Sequence, residues 1–485
     1  MLLDKKRVHF VGIGGYGMSA IARVLLDLGY EVSGSDVAEN ALVQKLIERG
    51  AKVTIGHHAD NVNGADMVVF STSIAENNVE RIVAQEQGIE VLHRSQMLAR
   101  LLNDKKGIAV AGAHGKTTTS SMIAQTLELC DVDPTYIIGG EIVSLKGNAK
   151  AGQSDYVVAE ADESDGSFLE YFPYLAVVTN IEPDHLENYE GDFEKLKQAY
   201  RVFASQVRPE GAAILCWDDA YVRAIAPEVR GRYITYALDH PADYMATNIR
   251  EQEREMTFTV VKNGQELGDV SLRIPGRHNV ANALAAIIAC LEVGVPFERA
   301  AAALYQFQGA KRRFQVIGEV DDIVVVDDYA HHPTEIEATL KGAKALGRRM
   351  IVVFQPQRYS RTHLLMDEFS RAFALADEVI INTLYAPAGE QPIPGVSAER
   401  LAELITKNSN PNTRFIDTKE NVIAYLLDHV RPGDLVLTMG AGDIWRVSHG
   451  LVPELEKRTV KNELALIHTL CLIPFQGDPL KCGLP

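Results

Sequence analysis

Cysteine is scarce in this chain of 485 residues: five are present, widely scattered, and none forms a CxxC pair. This spacing argues against a disulfide framework and against the usual structural zinc sites. No apolar run approaches the ~20 residues that a membrane-spanning helix needs. The N-terminal segment also lacks a long apolar stretch followed by a small-residue cleavage site. We therefore expect a cytoplasmic protein that has no membrane partner.

Positive charge is also in short supply. Lys and Arg number 48 against 65 Asp and Glu, and the formal net charge is −17. An acidic surface argues against a nucleic-acid partner, so any anionic ligand must be bound by local arrangements of backbone N–H groups, Lys and Arg. Internal repeats and low-complexity segments are absent from the sequence. The length predicts about three domains, and we expect a monomer or a weak dimer.

Short apolar segments alternate with helical patterns along most of the chain, which is typical of parallel α/β sheets. Predicted strands fall at residues 8–13, 31–33, 52–55, 67–71 and 90–92, then at 108–111, 156–159, 176–179 and 212–216, and finally at 323–327, 350–354, 378–382 and 434–439. Segments 256–261 and 269–274 alternate at period two around Asn263-Gly264, which predicts an antiparallel hairpin.

These groups of strands predict an α/β protein of three domains. Residues 1–106 are expected to form a Rossmann-like domain, and residues 107–318 a central α/β domain with a small antiparallel sheet. Residues 319–455 are expected to form a second Rossmann-like domain. Residues 456–485 show little periodicity, and we assign this tail no role.

A glycine-rich loop, Gly12-Ile13-Gly14-Gly15-Tyr16-Gly17, lies between the first predicted strand and a helix predicted over residues 18–28. It matches GxGxxG, and Asp36 lies about 20 residues further on, where a ribose-binding acid stands in dinucleotide-binding domains. Glycine lets the backbone approach a pyrophosphate, which the free N–H groups of the helix N-terminus then stabilise. The loop predicts a site for a dinucleotide or another nucleoside diphosphate, and a simple tight turn is the structural alternative.

A second loop, Gly112-Ala113-His114-Gly115-Lys116-Thr117-Thr118-Thr119, also follows a strand and precedes a helix predicted over residues 120–129. Its backbone N–H groups can surround phosphate oxygens, Lys116 can neutralise charge at the β and γ phosphates, and a threonine hydroxyl can hold Mg²⁺. Val110 stands where the full Walker spacing has glycine, so the loop is a shortened variant. It predicts a nucleoside triphosphate site.

Two strands of the central domain end in polar clusters. These are Glu160-Ala161-Asp162-Glu163-Ser164-Asp165 and Asn180-Ile181-Glu182-Pro183-Asp184-His185. The carboxyl ends of parallel strands share one edge of the sheet with the phosphate loop. Acids and an imidazole at that edge can hold Mg²⁺ against ATP phosphates. Acidic runs in loops are often only solvated, but the neighbouring lysine loop favours the metal interpretation.

Further along the chain, Asn279 precedes an alanine-rich helix predicted over residues 280–291, where it can be an N-cap or a nucleotide ligand. The segment Lys311-Arg312-Arg313-Phe314 is a basic cluster in an acidic chain, either solvated or a clamp for phosphate or carboxylate. Two later strands end in Asp327-Asp328-Tyr329-Ala330-His331-His332-Pro333 and in Gln355-Pro356-Gln357-Arg358-Tyr359-Ser360-Arg361-Thr362. Arg358 and Arg361, three residues apart on one predicted helical face, can grip a carboxylate.

In order, the segments GIGGYGMSAIA, GAHGKTTT, EADESD, NIEPDH, GRHNVANALAA, RRF, DDYAHHP and QPQRYSRT resemble the motifs of the Mur ligase family, over about residues 7–450. The resemblance is strongest to the alanine-adding branch. It implies an ATP-dependent ligase of peptidoglycan-precursor synthesis, with ATP and Mg²⁺ as cofactors. L-alanine would be joined to the lactyl carboxylate of UDP-N-acetylmuramate through an acyl-phosphate, with release of ADP and phosphate.

The resemblance also implies a set of site residues. The first domain would hold the UDP-sugar, not NAD, near Gly14, Gly15, Ser35, Asp36, Ser71, Ser73, His93 and Arg94. ATP would be bound by Gly112, Ala113, His114, Gly115, Lys116, Thr117, Thr118, Asn279, Asn282, Arg313 and Asp327. Thr117, Glu160 and His185 match Mg²⁺ ligands, and the residues matched to catalysis are Lys116, His185, His332, Arg358 and Arg361.

Two departures bear on the branch. Related ligases for later amino acids carry a carbamylated lysine about fifteen residues past the histidine, a place near Tyr200 in this chain, and its absence resembles the alanine-adding branch. Gln357 stands where this branch often has histidine, which leaves the fine substrate contacts open. His332 is a weak candidate for the base that accepts the proton of the alanine amine.

Because an acyl-phosphate hydrolyses in water, we expect the third domain to close before transfer. Three alternatives stay open from the sequence. An NAD(P) oxidoreductase explains the first loop but not the lysine loop, and a non-catalytic nucleotide-binding regulator explains both loops but not the strand-end acids. A recycling ligase that attaches a whole tripeptide to the same sugar carries the same motifs.

Overall fold

The computed structural model describes residues 6–471, except 146, 165, 253–254 and 387–389, and leaves out the side chains of 187 and 461–471. Asp165 of the acidic run and residues 472–485 of the predicted tail therefore lie outside the described residues. The chain divides into two compact units, Met1–Lys311 and Arg312–Pro485. The strands of the described residues form three sheets, two in the first unit and one in the second.

The first sheet has five parallel strands in the order β3-β2-β1-β4-β5. The strands are β1 Arg7–Val11, β2 Glu31–Asp36, β3 Lys52–Ile55, β4 Met67–Phe70 and β5 Glu90–His93, and the helices are α1 Tyr16–Asp27, α2 Ala41–Glu48, α3 Val79–Glu86 and α4 Arg94–Asn103. The strand order reverses between β1 and β4, which opens a crevice at the carboxyl ends of these strands. Each of the five predicted strands is present.

The second sheet has ten strands in the order β15-β14-β13-β12-β11-β10-β6-β9-β7-β8. They are β6 Lys106–Ala111, β7 Thr135–Ile142, β8 Gly147–Lys150, β9 Tyr156–Glu160, β10 Leu175–Val178, β11 Ala212–Cys216, β12 Tyr233–Ala237, β13 Tyr244–Gln252, β14 Glu255–Lys262 and β15 Gln265–Leu272. The helices are α5 Lys116–Leu129, α6 Phe193–Ser205, α7 Ala220–Ile225, α8 Arg277–Val293 and α9 Phe297–Leu304. Strands β10 and β11 are buried along their whole length, as expected for parallel strands covered on both faces.

The predicted hairpin is present as β14 and β15, which pair antiparallel. Its turn residues Asn263 and Gly264 both have positive φ, 47° and 82°, as a two-residue type I′ turn requires. The hairpin is not a separate small sheet, however. Strand β13 pairs antiparallel with β14 and parallel with β12, so the hairpin extends the central sheet into one mixed sheet.

The third sheet has six strands in the order β16-β17-β21-β18-β19-β20. They are β16 Gln315–Val320, β17 Ile323–Asp328, β18 Arg349–Phe354, β19 Glu378–Ile381, β20 Thr413–Phe415 and β21 Asp434–Met439, with helices α10 Pro333–Lys344, α11 Tyr359–Leu364, α12 Met366–Arg371, α13 Ala398–Asn408, α14 Lys419–His429 and α15 Trp445–Cys471. Strand β16 pairs antiparallel with β17 and spans the boundary that the sequence suggested after residue 318. Helix α15 extends into residues 456–485, the segment whose sequence shows little periodicity.

Among the described residues, no helix is both long enough and apolar enough to cross a membrane.

Candidate active site

The first glycine loop is held in place by Asp36 at the end of β2. The Gly14 backbone N–H donates to Asp36 Oδ2 over 2.8 Å. A Cβ on Gly14 would lie 2.7 Å from Asn40 Nδ2 and 2.9 Å from Asp36 Oδ2, closer than non-bonded atoms approach. Glycine is therefore required here by packing against the acid. Gly15 is the N-cap of α1, so the free N–H groups of the helix face the loop.

A cavity of about 560 Å³ opens at the crevice beside this loop. Five of the residues expected near a UDP-sugar line it: Gly14, Gly15, Asp36, Ser71 and Ser73. The lining also includes residues that the sequence did not suggest, namely His57, Asn40, Asn77 and Asn78. The size and the mixture of backbone, amide and hydroxyl groups suit a small polar ligand with a pyrophosphate.

Ser35, which was expected beside the nucleotide, does not line the cavity. Its side chain is fully buried, and Oγ donates to Glu80 Oε2 over 2.6 Å. Ser35 and Asp36 are consecutive strand residues and point to opposite faces of the sheet, so only Asp36 can face the crevice. Ser35 instead supports His57, whose Nδ1 lies 3.0 Å from Ser35 Oγ.

His93 and Arg94 are also absent from the lining. His93 caps α4 and lies 3.1 Å from Thr72 Oγ1 and 2.6 Å from Ser95 Oγ through its two ring nitrogens. The Arg94 side chain lies along the first turn of α1, where a Cβ on Gly17 would be 3.2 Å from Arg94 Cδ. Both residues border the loop region, and neither reaches the cavity in this structure.

Glu80 on α3 is a fully buried carboxylate that holds a polar cluster behind the cavity. Besides Ser35, it accepts hydrogen bonds from Asn61 Nδ2 at 2.5 Å and from the backbone N–H of His58 at 3.1 Å. His9 Nε2 lies 3.3 Å away. Burial raises the pKa of Glu80, but the hydrogen bonds from His9, Ser35 and Asn61 outweigh it and bring the pKa down to about 2.

The second glycine loop connects β6 to α5 and is anchored to the end of β10. Gly112 and Gly115 have φ values of +141° and +85°, which L side chains rarely adopt. A Cβ on Gly112 would lie 2.0 Å from Thr179 Oγ1. Asn180 accepts from the His114 N–H over 2.8 Å through Oδ1 and donates to His114 O over 2.9 Å.

These contacts leave the first turn of α5 directed at the space inside the loop. The sequence predicted the helix from residue 120, but it begins at Lys116 with Gly115 as its N-cap. The N–H groups of Lys116, Thr117 and Thr118 therefore belong to the first turn, which makes them the anion-binding end of the helix. Ala113 donates its N–H to Asn180 O over 3.3 Å, and the His114 ring lies 3.2 Å from Glu182 Oε2.

Lys116 forms an ion pair with Glu163, the third acid of the strand-end cluster. Its Nζ donates to Glu163 Oε1 and Oε2 over 2.9 and 2.8 Å and to Gly112 O over 2.5 Å. Burial lowers the pKa of Lys116, and the carboxylates of Glu163 and Asp162 more than offset this, so the net shift is upward. Lys116 is therefore cationic at neutral pH.

Two adjacent glycines on β7 lie against the proposed metal ligands, Gly139 against Glu160 and Gly140 against Thr117. The Gly139 N–H donates to Glu160 Oε1 over 2.7 Å. A Cβ on Gly139 would lie 2.9 Å from Glu160 Oε2, and a Cβ on Gly140 would lie 2.7 Å from Thr117 Cγ2. A hydroxyl and a carboxylate are ligands that Mg²⁺ accepts, and a side chain larger than glycine at either position would crowd one of these two residues.

His185 follows β10, whose carboxyl end lies at the same edge of the sheet as the lysine loop. It has a φ of 55°, an unusual backbone conformation of the kind that concentrates at functional sites. Its Nε2 lies 3.5 Å from Asp184 Oδ2. Burial raises the pKa of Asp162. Lys116, the Ser164 hydrogen bonds and His185 together lower this pKa by a larger amount, so the net shift is downward. Asp162 thus lies in the electrostatic neighbourhood of both Lys116 and His185.

Asn279 and Asn282 lie in the first turns of α8, beside the phosphate loop. The helix begins at Arg277 with Gly276 as N-cap, so the N-cap alternative for Asn279 is wrong. Its side chain instead donates to Pro275 O over 2.6 Å. Asn282 Oδ1 would lie 2.7 Å from a Cβ on Gly115, which places this amide against the loop.

In the second unit, Asp327 does not face an open surface as expected for a nucleotide contact. It is fully buried at the end of β17. Its carboxylate accepts hydrogen bonds from Arg312 Nε over 2.9 Å and from Thr438 Oγ1 over 2.7 Å. Arg312 also donates to Gly440 O over 2.5 Å, so this pair connects strand ends within the sheet. Arg313 is the more exposed of the two arginines and lies 3.6 Å from Glu335.

Arg358 and Arg361 do not share a helical face. Helix α11 begins at Tyr359, and Arg358 is its exposed N-cap with a φ of +69°. Arg361 is buried and its Nη1 donates to Gln357 Oε1 over 3.2 Å. The left-handed conformation of Arg358 takes its side chain out of the helical repeat, so the spacing argument for a clamp fails. Gln357 nevertheless contacts one of the two arginines.

The two adjacent histidines that precede α10 have different environments. His332 is buried and forms the N-cap, with Glu335 accepting from the N–H groups of His331 and His332 over 2.9 and 3.3 Å. Burial is the main cause that lowers the pKa of His331 to about 4, so its ring is neutral at pH 7.

The neighbouring acid Asp328, at the end of β17, accepts a hydrogen bond from the Phe314 N–H over 2.7 Å. Burial raises the pKa of this carboxyl group to about 6.

Family models match all three parts of the chain. The Mur ligase family catalytic domain matches residues 7–106, the Mur ligase middle domain residues 110–290, and the Mur ligase glutamate ligase domain residues 312–442. A relative named UDP-N-acetylmuramate–L-alanine ligase, from Symbiobacterium thermophilum, is 51% identical over 466 residues, 95% of this chain and 96% of that protein. The chain belongs to the Mur ligase family.

Other Mur ligases support the same assignment. A Syntrophotalea carbinolica relative of the same name is 48% identical over 93% of this chain and 99% of its own length. The crystal structure of the UDP-N-acetylmuramate–alanine ligase MurC of Thermotoga maritima matches with a TM-score of 0.77 and 28% identity, over 93% and 99% of the two chains. A Psychrobacter arcticus murein peptide ligase structure gives a TM-score of 0.68 and 26% identity, over 93% and 98%. The predicted three-domain α/β fold is thereby confirmed.

Several residues of this Mur ligase site were missed by sequence reasoning. Asn180 and Glu163 stood within quoted motifs, but neither was assigned a contact. The polar position directly after a strand that neighbours β6 was a usable signal for Asn180, because such residues lie beside the loop. The sequence contained no comparable signal for His57, which reaches the cavity from a loop after β3.

Proposed function

We propose that this chain is a UDP-N-acetylmuramate–L-alanine ligase that uses ATP and acts in peptidoglycan-precursor synthesis. The observation that carries the proposal is the coexistence of two anion sites in one chain, the cavity at Asp36 and the lysine loop at Lys116. One suits the diphosphate of a nucleotide sugar and the other the triphosphate of ATP. The relatives that match over almost the whole chain bear this name.

In the proposed first step, a lactyl carboxylate oxygen of the sugar forms a bond to the γ-phosphorus of ATP, and ADP leaves. Two anions must approach each other, so positive charge is needed at the transferring group. Lys116 and the N–H groups at the start of α5 supply fixed positive potential there. Mg²⁺, when held by Thr117 and Glu160 with His185 as a proposed third ligand, would neutralise phosphate charge.

In the proposed second step, the neutral amine of L-alanine attacks the acyl-phosphate carbonyl, and phosphate leaves as the amide forms. We assign Arg358 and Arg361 to the carboxylates of the two substrates. His332 is the proposed proton acceptor, whereas the pKa of His331, lowered to about 4 by burial, makes that ring a poor base at pH 7. Asn279, Asn282 and Arg313 are proposed nucleotide contacts.

The remaining assignments are part of the same proposal. The enzyme is expected to require Mg²⁺, to act in the cytoplasm on small-molecule substrates, and to be a monomer or weak dimer without nucleic-acid or membrane partners.

The test is coupled phosphate release by the purified protein with ATP, Mg²⁺, UDP-N-acetylmuramate and L-alanine. Release should need both the sugar and the amino acid, and Lys116→Ala should reduce kcat by roughly a hundredfold or more. Release with a murein tripeptide in preference to L-alanine would assign the enzyme to the peptide-recycling branch. Absence of both ADP and a new amide with every acceptor would refute the proposed function.

A further inference from the structure

The ammonium group of Lys116 is already surrounded by protein oxygens. A lysine has three N–H donors, and here they face Gly112 O at 2.5 Å, Ala113 O at 3.5 Å and both carboxylate oxygens of Glu163. The Glu163 side chain is 4% exposed, so this is a buried contact, not a surface ion pair. A phosphate can reach Lys116 only when at least one of these contacts breaks.

Charge makes Glu163 the contact that must give way. A phosphate at Lys116 would lie beside the Glu163 carboxylate, and two unscreened anions in a buried site repel strongly. The backbone carbonyl of Gly112 carries no such charge and belongs to the loop itself. A carboxylate that leaves Lys116 needs another hydrogen-bond donor, because an unpaired buried charge is costly.

The structure contains a donor without a partner in this neighbourhood. Tyr200 on α6 is completely buried, and among the described residues its hydroxyl has no hydrogen-bond partner. Its ring packs edge-on against Phe168, with centroids 5.3 Å apart. Burial, followed by the nearby carboxylate of Glu163, raises the pKa of Tyr200 well above its ordinary value. Phe168 lies just after the turn in which the Gly166 N–H donates to Glu163 O over 3.1 Å, so the protonated Tyr200 hydroxyl that packs beside Phe168 lies in the neighbourhood of Glu163.

We propose that Glu163 is a positioning residue that occupies the place of a nucleotide phosphate at Lys116, and that the Tyr200 hydroxyl donates a hydrogen bond to the displaced carboxylate when nucleotide binds. The inference rests on the proposed function, since it requires a nucleotide phosphate at Lys116. The ion pair keeps the lysine in place in the empty loop. It also weakens nucleotide binding, because the competent arrangement is only a fraction of the population.

The first experiment compares nucleotide affinity in Glu163→Gln and in the wild-type protein. Isothermal titration with ADP and Mg²⁺, without sugar or amino acid, gives the dissociation constant directly. Glutamine keeps the shape but not the charge, so ADP should bind more tightly, by about tenfold if the free lysine is a one-in-ten state. Glu190→Gln, which changes an exposed acid of the same region, is the matched control and should bind as wild type does.

The outcomes separate the two proposals. If the wild-type protein does not bind ADP, the proposed function itself fails. If the wild-type protein binds ADP and Glu163→Gln binds it equally or more weakly, the positioning inference is overturned, because loss of a merely structural residue would not tighten binding. Glu163→Asp keeps the charge and should restore the wild-type affinity to within a few fold.

The second experiment tests the hydrogen-bond donor role of Tyr200 with Tyr200→Phe. The substitution removes only the hydroxyl and retains the ring that packs on Phe168. A hydroxyl with no function leaves ADP affinity unchanged when removed, and its loss can raise Tm because an unpaired buried polar group is relieved. We expect a threefold to tenfold weaker ADP affinity with Tm unchanged or higher.

A double variant completes the cycle. In Glu163→Gln/Tyr200→Phe the loss of affinity caused by the tyrosine change should shrink, because the displaced charge is gone. The same loss in both backgrounds, or no loss in Tyr200→Phe alone, would overturn the role of Tyr200.

Discussion

Replacing Glu80 by glutamine is expected to destabilise the first sheet in a pH-dependent way. The carboxylate is fully buried and is held by Ser35, Asn61, the His58 backbone and His9. A carboxylate that accepts several hydrogen bonds in its charged form has a depressed pKa. Glutamine keeps the volume of the side chain, but its NH₂ group cannot accept the hydrogen bonds that one carboxylate oxygen accepts.

The magnitude follows from the pKa of the folded state. The pKa of Glu80 is lowered from its ordinary value of 4.5 to about 2, and each pKa unit corresponds to about 1.4 kcal/mol. The charged form therefore contributes roughly 3 kcal/mol to the free energy of unfolding. Because the pKa is lower in the folded protein, this contribution is complete above pH 4.5 and is lost as pH falls through about 2. At pH 3 about half of it should remain.

Hydrogen–deuterium exchange of peptides from β1 and β2 measures this locally, which is necessary because a multidomain chain does not unfold in two states. Variant and wild type are compared at the same pH, so intrinsic exchange rates cancel. Glu86→Gln, an exposed position at the end of the same helix α3, is the control. The reasoning is refuted if Glu80→Gln costs the same at pH 7 and pH 3, or if it costs no more than the control.

Three further outcomes are expected. Asp36→Ala frees the Gly14 N–H and should raise the dissociation constant of UDP-N-acetylmuramate about tenfold without changing that of ADP, as two separate titrations would show. Gly140→Ala places a methyl group 2.7 Å from Thr117 Cγ2 and should raise the Mg²⁺ concentration for half-maximal phosphate release severalfold, at unchanged Tm. Burial raises the pKa of Asp328 to about 6, so the stability of its sheet should fall by about 2 kcal/mol as pH rises from 4 to 6. Asp328→Asn should remove that slope in hydrogen–deuterium exchange of peptides from β17, and an unchanged slope would contradict the burial argument.

Sequence patterns were sufficient where one local rule decides the structure. The Asn263-Gly264 hairpin and the parallel strands followed from turn chemistry and from apolar segments of strand length. Strands with mixed composition were missed, among them β7, β8, β13 and β16. In β13 the pattern reads YMATNIREQ, and its outer half is exposed. Such a strand is stabilised by its neighbours in the sheet, and that information is not local.

Some predicted site residues have side-chain directions that the sequence did not indicate, for reasons that a single backbone angle or one step of register explains. Ser35 and Asp36 are adjacent in β2, and alternation along the strand sends one of them to the buried side. Asp327 is buried against Arg312, although it ends a strand as a nucleotide contact would. Arg358 leaves the helical repeat because its φ is positive. A motif shows which residues are near a site, but the side-chain direction depends on these local details.

Both glycine loops meet the same electrostatic requirement. Each must keep donors for an anion, and a buried donor without a partner is costly. In the first loop Asp36 accepts from Gly14 N–H, and in the second Glu163 accepts from Lys116. An acid that satisfies the donors stabilises the loop, and it weakens ligand binding only where the ligand must replace its contacts. Neutralising such an acid should therefore tighten binding where the acid competes with the ligand, as at Lys116, and weaken binding where it shapes the loop, as at Gly14. Opposite signs for Glu163→Gln and Asp36→Ala would distinguish these two roles within one protein.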